Sequence, residues 1–132
     1  MKGYLLDTSI CIFLLRGNHV IEEKLNEIDE DCCYISDAVV ADLVIGAYYS
    51  ERVEENLQQV EEFVADMKVI SFEESVHTFA QERARLWKAG KKIDDFDLLI
   101  GSAAKAKGLT VVTHNAKHFD RIEGIVIEDW IP

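Results

Sequence analysis

Three acids in this chain stand where a carboxylate is expensive. Asp42 lies in Ala38-Val39-Val40-Ala41-Asp42-Leu43-Val44-Ile45, and no Lys or Arg occurs between Ser36 and Glu51. On a helix its neighbours are Ala38, Val39, Ile45 and Gly46. A charge in such surroundings costs free energy unless it is hydrogen-bonded, paired or bound to a cation. Asp7 directly follows Tyr4-Leu5-Leu6 and precedes Thr8-Ser9. Asp97 sits in Ile93-Asp94-Asp95-Phe96-Asp97-Leu98-Leu99-Ile100, on one helical stripe with Ile100, Gly101 and Ala104. Asn115 follows the apolar run that ends at Thr113. Each has an ordinary use: a helix N-cap for Asp7, a solvent rim or backbone bond for Asp42, dipole stabilisation for Asp97, a turn for Asn115. Taken together they gather carboxylates, hydroxyls and an amide, and crowded like charges need a cation. Oxygen donors with few imidazoles point to Mg²⁺ or Mn²⁺ rather than Zn²⁺. Such an ion activates a water and neutralises developing charge in phosphodiester hydrolysis.

Other chemistries find no support. The cysteines and histidines lack zinc-ligand spacing, and no glycine loop suited to phosphate is present. An aspartyl-phosphate enzyme would want a second acid two residues after Asp7, where Ser9 stands.

The elements that must position these residues are legible in the apolar periodicity. Short continuous apolar runs at 3–6, 33–35, 69–70, 110–113 and 125–127 read as strands covered on both faces. Helical spacing covers 10–16, 20–28, 37–49, 53–67, 74–89 and 95–107, with 91–94 as a loop. The 37–49 segment is apolar almost all round, which predicts a buried helix. Tyr48-Tyr49 at its end suit core or interface better than base stacking. Alternating strands and helices predict an α/β fold, a three-layer α/β/α sandwich around a mainly parallel sheet. Ligands of such sheets bind beyond the carboxyl ends of the strands, where Asp7 and Thr113-His114-Asn115 fall. No linker or repeat divides the chain, so residues 1–132 read as one domain.

With 132 residues, 48% hydrophobic and 30% charged, the composition is globular and excludes disorder. The net charge of −11 disfavours a polyanionic partner in bulk. The charge is uneven, however: residues 83–121 carry nine Lys and Arg against Asp94, Asp95, Asp97 and Asp120. Cys11, Cys32 and Cys33 are an odd count in apolar settings, which predicts buried thiols in a reducing compartment. No signal peptide or membrane-length apolar run is seen, so a cytoplasmic protein with no membrane partner is expected.

These motifs resemble a known family. Tyr4-Leu5-Leu6-Asp7-Thr8-Ser9, Ile35-Ser36 with Ala41-Asp42-Leu43-Val44-Ile45-Gly46-Ala47, and Asp97-Leu98-Leu99-Ile100 are similar to the three acidic motifs of PIN-domain nucleases. Val111-Val112-Thr113-His114-Asn115-Ala116-Lys117-His118-Phe119, then Ile122 and Glu128-Asp129-Trp130, resembles the ending of VapC-type toxins. The resemblance implies a PIN α/β/α fold and a Mg²⁺-dependent endoribonuclease, the toxin of a toxin–antitoxin pair. It further implies an RNA substrate, a homodimer and a cognate VapB-type antitoxin. The motif-matched residues are Asp7, Asp42, Asp97 and Asn115, supported by Thr8, Ser9 and Thr113, with Asp95 as an extra acid. Position 42 departs from the family, where Glu is usual, and its carboxylate is one methylene shorter. The rival expectation is a catalytically weak PIN domain that serves as a protein-binding or regulatory subunit. By the nuclease reading, bases within 83–121 are expected to ring the acids and grip RNA phosphates; by the rival, the acidic pocket suits a partner offering Arg or Lys.

Overall fold

The computed structural model describes residues 2–132. Five strands, β1 (Tyr4–Leu6), β2 (Cys33–Ser36), β3 (Lys68–Ile70), β4 (Thr110–Val112) and β5 (Ile127–Glu128), form one sheet in the order β3-β2-β1-β4-β5. Every pairing is parallel. The helices are α1 (Thr8–Leu15), α2 (His19–Asn26), α3 (Asp37–Tyr49), α4 (Val53–Ala65), α5 (Val76–Lys88) and α6 (Asp95–Lys107).

The strand order fixes where a site can form. From β1 the chain steps outward to β2 and β3, then crosses back to β4. Right-handed crossovers therefore place α1–α4 on one face and α5–α6 on the other. The packing agrees: α1 meets α2, α3 and α4, while α5 meets α6. Both faces of the central strands are covered, since adjacent Leu5 and Leu6 are fully buried, as are Val111 and Val112. β1 and β4 are neighbours whose following segments diverge, and a crevice opens beyond their carboxyl ends. Asp7 and Thr113 are the next residues of those two strands, and the ladder runs on into both: Asp7 N–H donates to Val112 O at 3.0 Å, and Thr113 N–H to Glu128 O at 3.0 Å.

Two local devices hold the neighbouring elements. Gly101 lets α6 lie against the loop that follows β4, because a Cβ there would stand 2.2 Å from Ile122 Cδ1. Gly108 closes α6 at φ 66°, a left-handed C-cap that side-chain residues resist. The buried Glu82 of α5 accepts from Lys105 Nζ at 2.9 Å, Arg85 Nε at 2.6 Å and the Glu123 backbone at 2.9 Å. Burial works to raise the Glu82 pKa, but the bonds from Lys105 and Arg85 outweigh it and hold the carboxyl below its ordinary value. This carboxylate thus ties α5, α6 and the 121–124 turn. Glu82→Ala is expected to lower stability by about 1–3 kcal/mol in urea unfolding. The loss stays moderate because Lys105 and Arg85, 35% and 34% exposed, can turn to water.

The expectation that α3 is buried all round needs correction. Ala38, Val39, Leu43 and Ala47 are buried, but Ile45 is 53%, Tyr48 64% and Tyr49 93% exposed. α3 packs against α4, α6, α1 and β2, and among the described residues Ile45, Tyr48 and Tyr49 are left facing solvent. The three cysteines are buried and unbridged. Among the described residues no helix is long and apolar enough to cross a membrane.

Candidate active site

Asp7 is the anchor of the crevice. Extended backbone at Asp7 turns β1 into α1, and its side chain caps that helix: Oδ1 accepts from Ile10 N at 3.0 Å and from Ser9 Oγ at 2.7 Å. Oδ2 accepts from Thr113 Oγ1 at the end of β4. The N-cap use foreseen for Asp7 is real, and the same carboxylate also links the two central strands. Burial pushes its pKa up, and the bonds from Thr113, Ser9 and Ile10 do not fully restore it.

Asp42 reaches the crevice from α3. Its Oδ2 accepts from Thr8 Oγ1 at 2.7 Å, so the residue after Asp7 orients it. Asp42 is partly buried, and its pKa is raised, first by burial and further by the charge of Asp94. Asp97 enters from the first turn of α6. Its pKa is pushed up to about 6, chiefly by burial, and the negative charges of Asp94, Asp7 and Asp42 add to the rise. His118, with Nδ1 3.3 Å from Asp97 Oδ2, pulls the other way.

The remaining candidates have distinct places. Ser9 Oγ accepts from His114 N–H at 3.3 Å, and Thr113 Oγ1 accepts from Asn115 N–H at 2.8 Å. The supporting hydroxyls therefore shape the loop after β4. Asn115 begins that loop's 3-10 turn, with an exposed side chain. Asp95 pairs with Arg83, with its side chain 82% exposed, so it faces α5 and not the three acids. Asp94 is the acid whose charge reaches Asp97 and Asp42, while its Oδ1 caps α6 through Phe96 N and Asp97 N.

Carboxylates and hydroxyls make up most of this set, and burial first, then the charges of Asp94, Asp7 and Asp42, raise the Asp97 pKa against the pull of His118. Among the described residues no three His, Cys, Asp or Glu side chains stand close enough to enclose one ion between them.

The PIN domain family matches residues 4–125. The chain belongs to the PIN domain family. This PIN domain is 37% identical over 133 residues to the tRNA(fMet)-specific endonuclease VapC of Salmonella typhimurium, across 98% of this chain and 99% of that protein. It is 31% identical to Ribonuclease VapC2 of Haemophilus influenzae, across 99% of this chain and 100% of that protein. Among solved structures it superposes on DNA-bound VapBC from Salmonella typhimurium with a TM-score of 0.89, at 36% identity, covering 99% of this chain and 100% of that one. VapBC2 from Rickettsia felis, bound to a promoter DNA fragment, gives 0.88 at 30% identity, covering 97% and 98%. The α/β/α architecture expected from the sequence is thus that of the PIN domain.

Two residues of this PIN domain's crevice escaped the sequence reading. His118 carries no role in the sequence beyond its place in the C-terminal motif, yet it pairs with Asp97 through the folding of the loop after β4. Asp94 was merged with its acidic neighbours. Its position three residues before Asp97, at a helix start, was the available signal.

Proposed function

We propose that this chain is a Mg²⁺-dependent endoribonuclease and the toxin of a VapBC-type pair. The observation that carries the reading is the gathering of Asp7, Asp42 and Asp97 beyond β1 and β4, with the Asp97 pKa raised to about 6 by burial and its acidic neighbours. Asp7 and Asp97 would hold Mg²⁺, or Mn²⁺, with Asp42 completing the site directly or through a water. When bound, that ion supplies an activated water and charge neutralisation at the phosphate. The protein's part is orientation. Thr113 and Ser9 fix both oxygens of Asp7, Thr8 fixes Asp42, and His118 holds Asp97. Asn115, exposed at the start of the loop after β4, would contact substrate. The named relatives make initiator tRNA the first RNA to test, and the VapBC neighbours make a VapB-type antitoxin the expected partner.

Antitoxin-free protein incubated with initiator tRNA should cut it with Mg²⁺ and stop on addition of EDTA. RNA left intact at every Mg²⁺ concentration, by protein that still binds its antitoxin, would favour a regulatory subunit instead.

We also propose a homodimer, in which a second copy covers Ile45, Tyr48 and Tyr49 of α3. Sedimentation should give twice the chain mass, and Ile45→Lys should shift it toward monomer. A wild-type mass that stays monomeric at all concentrations would exclude this.

A further inference from the structure

Half of the basic side chains in this acidic protein are neutralised internally. Of the 14 Lys and Arg, Lys2, Arg52, Lys68, Arg83, Arg85, Lys105 and Lys107 each hold a carboxylate. The expectation that the bases of 83–121 act together is therefore only partly met, since four of them close ion pairs within the fold. Among the described residues, the bases left without a carboxylate are Arg16, Lys24, Lys88, Lys91, Lys92, Lys117 and Arg121. Three of these seven line a single pocket of about 260 Å³, and they share it with Asp94, Asp97 and His118.

The pocket walls are built and braced. Arg121 Nη1 donates to the Lys92 carbonyl, which joins the loop before α6 to the segment after β4. Arg85 Nη2 donates to the Arg121 carbonyl at 2.6 Å, and Glu123 N–H is held by the buried Glu82 at 2.9 Å. Lys92 and Lys117 thus project from two segments that the fold fixes against each other, with no carboxylate assigned to either. His118 joins this basic wall to Asp97.

We propose that Lys92, Lys117 and Arg121 form a phosphate subsite, taking an RNA backbone phosphodiester adjacent to the one positioned at Asp7, Asp42 and Asp97. The proposal rests on the ribonuclease reading and extends it by naming where the strand is gripped. RNA is favoured over an acidic peptide by the composition of the pocket. Asp94 and Asp97 repel any anion unless a divalent cation stands among the acids, and successive phosphodiesters of one strand would be held by such a cation and by the lysines together. In a chain of net charge −11, a polyanion also gains most where bases are not already paired.

The test measures binding apart from cleavage. Antitoxin-free full-length protein is titrated with fluorescein-labelled initiator tRNA in Ca²⁺, whose looser coordination holds phosphate without Mg²⁺ geometry. Gels run afterwards confirm that the RNA is intact. Lys92→Gln with Lys117→Gln is compared with Lys2→Gln plus Lys68→Gln, which removes the same charge from bases that hold Glu128 and Asp31 and line no part of this pocket. Arg121 is left in place because it holds the Lys92 carbonyl. The first pair should raise Kd about tenfold, and should reduce the slope of log K against log salt by up to roughly 0.7, the value for one phosphate contact on a single strand. The control pair should change both little. A wild-type slope in the Lys92/Lys117 variant, or an equal loss in the control, overturns the subsite. Equally tight binding of polyglutamate at the same pocket overturns RNA as its ligand. Loss of binding in the variant, with wild-type protein that binds but does not cut in Mg²⁺, keeps the subsite and removes the nuclease reading. Wild-type cleavage with unchanged binding by the variant does the reverse.

Discussion

Asp97→Asn is expected to reduce Mg²⁺-dependent RNA cleavage by at least about a hundredfold, the scale on which residues that merely orient a metal's ligands act. The same substitution should make the metal-free protein more stable at neutral pH. Asn keeps the shape of Asp but not its charge, and that charge is the unfavourable element. Burial, then the charges of Asp94, Asp7 and Asp42, raise the Asp97 pKa from 3.8 to about 6, even with His118 opposing. The folded state therefore binds this proton more tightly than the unfolded state does. Below pH 3.8 both states are protonated, and Asp97 carries no penalty. As pH rises from about 3.8 to about 6 the unfolded chain releases the proton first, and the folded protein loses stability. Above pH 6 the penalty is complete, of order 3 kcal/mol. Asp7 and Asp42, whose pKa values are also raised, act in the same direction. Metal-free protein should thus melt higher at pH 5 than at pH 7, and Asp97→Asn should flatten that difference. Mg²⁺ added at pH 7 should raise Tm in the wild type and much less in the variant. A variant with wild-type cleavage, or a pH–Tm profile unchanged by the substitution, would remove Asp97 from the site.

The acids could be found in the sequence because they break local rules. A carboxylate among Ala, Val and Ile on a helix, or directly behind a buried strand, needs a reason that composition does not supply. The elements were legible on the same grounds, since the periods of strand and helix are set by backbone geometry. The predicted 37–49 and 95–107 helices coincide with α3 and α6. Boundaries shifted where capping decided them. Ser71 and Glu74 form a capping box around a 3-10 turn, so α5 begins at Val76 rather than at residue 74.

What stayed hidden depends on three-dimensional placement. Apolar periodicity shows which residues of α3 avoid water, but not whether this chain or another covers Ile45, Tyr48 and Tyr49. Among three closely spaced acids, sequence does not say which turns inward. Asp95 is drawn outward by Arg83, twelve residues earlier on α5, while Asp94 caps α6 and stays within range of Asp97. The bases of 83–121 likewise looked equivalent until their partners were known. Glu82, Glu74 and Asp95 neutralise Arg83, Arg85, Lys105 and Lys107.

Asp42→Asn should produce two opposite effects, and this pair decides what the departure from the family's usual Glu means. In the metal-free protein, Asp42 is disfavoured by burial and by the nearby Asp94, and only the 2.7 Å bond from Thr8 relieves it. An amide oxygen can still accept from Thr8, so removing the charge should raise Tm without breaking that contact. With metal, the missing carboxylate should weaken Mg²⁺ binding and slow cleavage together, by about 10–100-fold. Thr8→Ala should give a smaller loss of cleavage, because it frees Asp42 to swing without removing its charge. Asp42→Glu extends the carboxylate by about 1.5 Å, one carbon–carbon bond. If Asp42 acts on the ion through a water because it is short, the longer acid reaches directly, and cleavage should be kept or raised. If the Thr8 bond is what matters, Glu overshoots it and activity falls to the level of Thr8→Ala. Mg²⁺ titrations followed by Tm and by RNA cleavage separate these outcomes. Cleavage that survives Asp42→Asn unchanged would make this carboxylate a structural partner of Thr8 and nothing more.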